Sequence, residues 1–69
     1  MGFETMPITV EQAQEIIAVG GEVVSASKSG YFGNTKWLEH AVKAEISDDS
    51  DKVIFSLSNG DFVEFSRAF

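Results

Sequence analysis

Three acids within four residues, Asp48, Asp49 and Asp51, are the densest set of chemistry-bearing side chains in this 69-residue chain. Carboxylates so close could hold a hard cation, but a calcium loop needs oxygen ligands at alternate positions, then glycine and a distal glutamate. Here Lys52 and Val53 follow, so the cluster reads as a solvated turn and no metal site is expected. As a charged patch, with Glu45 nearby, it could meet an arginine or lysine cluster on another protein. His40 is the single histidine, flanked by Glu39, and no nucleophile or orienting group stands at a useful spacing from it. General base catalysis needs such partners and zinc needs three or four ligands, so neither is expected.

The second candidate is aromatic. Tyr31 and Phe32 lie between Gly30 and Gly33, and Trp37 follows shortly after. Aromatic rings supply contact area at low entropic cost, and glycines let a loop conform, so this segment could be a binding loop. The same rings could instead fold down as lids over a small core, and the sequence leaves both roles open, ring by ring. Lys28 and Lys36 beside these aromatics suggest a stacking platform for single-stranded nucleic acid. Residues 23–37 carry +2, however, against −8 for the remainder, and an acidic bulk repels phosphate backbones. Direct nucleic-acid binding is therefore disfavoured. The spacing of Gly30 and Gly33 fits neither a P-loop nor a dinucleotide fingerprint, so no cofactor is expected.

The elements that must position these residues are clearest at the C-terminal end. Residues 52–57 and 61–65 alternate apolar and polar around Ser58-Asn59-Gly60, the pattern of a β-hairpin with a three-residue loop closed by a glycine at positive φ. That register puts Val53, Phe55, Leu57, Val63 and Phe65 on one face, and Ile54, Ser56, Phe62, Glu64 and Ser66 on the other. Near the N-terminus, Thr9 and Gln12 form a capping box. Val10, Ala13, Ile16 and Ile17 then follow at helical spacing, and Gly20-Gly21 marks the stop, so the pattern predicts a helix over 10–19. Residues 22–27 have a short strand-like character. Residues 35–42 satisfy both helical spacing and alternation; a strand from about 40 to 47 is preferred, because Ser47 to Asp51 then turns the chain into the hairpin as a meander. The expected fold is one α+β domain over 1–69, an N-terminal helix on a three- to four-stranded antiparallel sheet.

Composition narrows the class of function. The net charge is −6 and there is no cysteine, so disulfides and cysteine-based metal sites are excluded. No apolar run approaches a membrane span, and the first residues lack the regions of a signal peptide, so a cytoplasmic location is expected. No stretch matches a family signature. The expectation is a small acidic, non-enzymatic protein-binding module, an inhibitor or adaptor acting on a basic partner, by analogy with phage-encoded blockers of nucleic-acid-handling machinery. Its expected contacts are Tyr31, Phe32, Trp37, Glu45, Asp48, Asp49 and Asp51. The alternative is a structural protomer that self-associates, with Phe69 either plugging the core or meeting a symmetric neighbour in a homodimer.

Overall fold

Alternation in the C-terminal hairpin builds the centre of a five-stranded antiparallel sheet. The computed structural model describes residues 4–48 and 50–67; Asp49 and Phe69 lie outside them. In chain order the elements are β1 (Thr5–Ile8), α1 (Val10–Ala18), β2 (Gly21–Ala26), β3 (Ala41–Ser47), β4 (Lys52–Leu57) and β5 (Phe62–Arg67). Two short 3₁₀ helices, Ser29–Tyr31 and Lys36–His40, lie between β2 and β3. The strand order is β1-β3-β4-β5-β2, so β3, β4 and β5 form the expected meander. The sheet is one strand wider than the upper expectation because β1 pairs with β3. Pro7 sits in β1, and a residue without an N–H is tolerated there because β1 is an edge strand.

The hairpin loop closes as its residues require. Gly60 has φ +91°, its N–H donates to the Leu57 carbonyl at 3.1 Å, and the Leu57 N–H donates to Asp61 O at 2.9 Å. Val53, Phe55, Leu57, Val63 and Phe65 are all buried on one face. Ala13 and Ile17 of α1 join that cluster, and α1 packs against β3 and β5. The capping box is formed in both directions: Thr9 Oγ1 accepts from the Gln12 N–H at 3.0 Å, and Gln12 Oε1 accepts from the Thr9 N–H at 3.0 Å. Gly20 and Gly21, at φ +134° and +143°, then turn the chain into β2. At Gly21 a side chain is excluded, because its Cβ would collide with the Ser66 carbonyl oxygen.

Both readings of residues 35–42 are partly right. Lys36–His40 form a 3₁₀ helix, whose threefold spacing imitates a helical pattern, and the strand begins at Ala41. The pairing of β3 with β4 shifts between Ala41 and Lys43. This bulge turns Val42 outward to 57% exposure, which breaks the simple alternation.

Candidate site at the β2 edge and the 32–35 loop

The three aromatics separate into three environments. Trp37 is 2% exposed; its ring centroid lies 5.0 Å from that of Phe55, and its Nε1 donates to the Asn34 carbonyl at 2.8 Å. It is a core lid, and as folded it offers no surface to a partner. Here burial of the largest side chain in the molecule outweighs its place in a glycine-punctuated segment. Tyr31 is half-buried against the core, with its hydroxyl donating to Asp61 Oδ2 at 2.5 Å. Asn59 Nδ2 lies 3.4 Å from the same hydroxyl, and Lys28 Nζ is 3.3 Å from Asp61 Oδ2. The Tyr31 hydrogen bond, aided by Lys28 and Ser27, holds the Asp61 carboxyl below its ordinary value of 3.8. Tyr31 thus ties the 28–35 loop to the hairpin loop. Phe32 alone of the three stays open, at 45% exposure.

Phe32 stands on the rim of a cleft of about 460 Å³. The cleft runs between the end of α1, the start of β2 and the 32–35 loop. Ile17, Val23 and Phe65 give it apolar lining, and Glu22 borders it from β2, at a strand position that alternates to the opposite face from Val23. Asn34 fixes the far wall: its Nδ2 donates to the Gly30 carbonyl at 2.9 Å and its Oδ1 accepts from the Lys36 N–H at 3.1 Å. Gly33, at φ +79°, lets the loop turn beside Phe32. Of the six large apolar side chains exposed among the described residues, Phe32 is the one that lines this cleft, and Val19 and Val24 lie next to lining residues in the chain. A large exposed ring at a concavity is a candidate contact surface.

The acidic residues divide in the same way. Asp48 and Asp51 lie in the β3–β4 turn, where Ser50 adopts φ +59° and the buried Ser47 Oγ accepts from the Lys52 N–H at 3.1 Å. Much of this turn is occupied internally. Lys52 Nζ is 3.5 Å from Asp51 Oδ2, Arg67 donates to the Ser50 carbonyl at 2.7 Å, and the Arg67 N–H donates to the Asp51 carbonyl at 3.0 Å. Glu45 is not part of the turn. It sits within β3 opposite Pro7 and Ile54, accepting a hydrogen bond from Thr5 Oγ1 at 2.7 Å. Because Gly21 pairs with Arg67, the turn and the cleft occupy the same end of the sheet, with Tyr31 and Asp61 at the other end of β5.

The fold therefore sets Phe32, Glu22 and the Asp48/Asp51 turn towards one end of the sheet, with Glu45 in β3 shortly before that turn, while Trp37 is buried and Tyr31 is tied to the hairpin loop. Glu22, Val23 and the cleft itself were missed by sequence reasoning. Their only signal was the strand character of residues 22–27, which gives no hint of being an edge. Among the described residues, no three histidine or carboxylate side chains converge as metal ligands, and no helix is long and apolar enough to cross a membrane. Comparison with protein-family models, with curated proteins and with solved structures returns no match for this chain.

Proposed function

We infer that this chain is a small protein-binding module, an inhibitor or adaptor that engages a basic protein partner in the cytoplasm and performs no chemistry of its own. The observation that carries the reading is Phe32: a large aromatic side chain left 45% exposed on the rim of an apolar cleft, in a molecule of net charge −6. Folding gains nothing from leaving such a ring open, whereas binding does, since aromatic residues in well-packed pockets dominate interface energies. The acidic surface supports a basic partner, because opposite net charges speed encounter. His40 is exposed, and its backbone carbonyl serves the fold by accepting from the Ser58 N–H at 2.8 Å.

A second reading, self-association as a structural protomer, is favoured by Phe62, which is 42% exposed on the opposite face of the sheet from α1. Light scattering separates the two. The binding module is expected to run near its chain mass of 7.5 kDa at micromolar concentration. Wild-type protein on a resin should also retain a partner from cell lysate that Phe32→Ala releases and that elevated salt elutes. A stable dimer lost on Phe62→Lys, with equal retention by wild type and Phe32→Ala, would favour the protomer.

A further inference from the structure

We propose that the outer edge of β2 accepts an extended segment of the partner as a sixth strand, and that this segment carries an apolar side chain next to a lysine or arginine. The proposal rests on the protein-binding reading and specifies what occupies the cleft. β2 is an edge strand, and among the described residues nothing pairs with its outer side; its pairing with β5 shifts between Val23 and Ser25, so the regular part of the edge is Gly21 to Val23. Such an edge presents free backbone donors and acceptors, which is how strand addition recruits peptides.

The register fixes which side chains the incoming strand needs. Met6, Ile46, Val53, Phe65 and Val23 are successive cross-strand partners, an apolar row that crosses the whole sheet on the α1 face. The next place in that row, beyond Val23, falls in the cleft between the end of α1 and Phe32. An apolar side chain of an added strand would sit there, continuing the core by one position. Its neighbour in sequence would point to the other face, beside Glu22. The row behind Glu22 runs to Ser66 and then Lys52, so Glu22 has no cation directly opposite it on β5. Opposite charges favour cross-strand pairing and like charges oppose it, so the residue placed beside Glu22 is basic.

A second copy of this chain fits the edge less well. Gly21–Ala26 contains an acid and no base, so β2 pairing with itself would leave Glu22 without a complement. Pro7 in β1 lacks the N–H that a paired edge uses.

The test uses capped seven-residue peptides of threonine with Lys-Phe-Lys at the centre, and variants with Lys-Ala-Lys or Glu-Phe-Glu, titrated into isotopically labelled protein at about 0.15 M salt, where long-range attraction is screened. Amide shifts locate the peptide, and hydrogen exchange reports whether β2 amides become protected. The Lys-Phe-Lys peptide is expected to perturb Gly21–Ala26 and residues 32–35, to slow exchange within β2, and to bind about tenfold or more tightly than Lys-Ala-Lys. Glu22→Lys, an exposed position, should reverse the preference between Lys-Phe-Lys and Glu-Phe-Glu. Shifts confined to other surfaces, absence of β2 protection, or a charge preference unmoved by Glu22→Lys would overturn the proposal. So would β2 amides already protected without peptide in a concentration-dependent dimer, which would make the occupant a second copy. If the peptides fail while Phe32→Ala still releases a captured partner, strand addition falls and the binding module stands.

Discussion

Glycine at two positions does two different jobs, and the difference can be measured. At Gly60 the backbone is at φ +91° but nothing lies within 4 Å of the place a Cβ would take, so Gly60→Val should cost only conformational strain, about 1–2 kcal/mol. At Gly21 the strain is joined by a collision with the Ser66 carbonyl and the Phe65 ring, so even Gly21→Ala should cost more than Gly60→Val in urea unfolding. Equal midpoints for the two variants would contradict this. Tyr31 and Asp61 make a second prediction at this scale. Because the folded-state pKa of Asp61 lies below its ordinary value, the pair stabilises the fold above the usual carboxylate range and loses that contribution as pH falls through the folded pKa. Tyr31→Phe should therefore melt below wild type at pH 7, and the gap should narrow as the pH falls below the ordinary carboxylate range. A gap that stays constant with pH would show that the hydroxyl does not act through the ionised carboxylate.

At the level of elements, α1 has both a formed capping box and a buried apolar side. Nine residues are marginal as an isolated helix, and Thr9→Ala removes one direction of the capping box, so a loss of about 1 kcal/mol is expected in chemical denaturation. An unchanged midpoint would mean that packing against β3 and β5 alone holds the helix. This helix and the β4–β5 hairpin were legible in the sequence because local signals agree with global ones: the capping box, the apolar periodicity and the three-residue loop all point one way. β1 was not, since Met6 and Pro7 within four residues carry no alternation, and only pairing with β3 makes them a strand. The acidic turn was legible as a turn, and Lys52 lies next to Asp51 in sequence, but its other internal partner, Arg67, reaches it only through the pairing of β4 with β5. The cleft was invisible because it exists only where the turn from α1 into β2, the 32–35 loop and Phe65 of β5 meet, segments distant in sequence.

Over the whole molecule, a closely packed apolar core stands beside a net charge of −6. Trp37, Phe55, Val53 and Val63 fill the core almost without exposure, so Trp37→Ala should cost about 3–5 kcal/mol and leave much of the chain unfolded near 37 °C. On the proposed reading the net charge of −6 steers encounter, so association with a basic partner should slow by tenfold or more between about 0.05 and 0.5 M salt, with dissociation far less affected. The same reading assigns dissociation to the cleft. The most direct measurement is the dissociation rate of the captured partner from Phe32→Ala, taken beside calorimetric unfolding of the same variant. The expected result is a melting temperature near that of wild type and dissociation faster by about thirtyfold, the equivalent of about 2 kcal/mol. A variant that melts early yet releases its partner at the wild-type rate would make Phe32 a part of the core and remove the cleft from the binding surface.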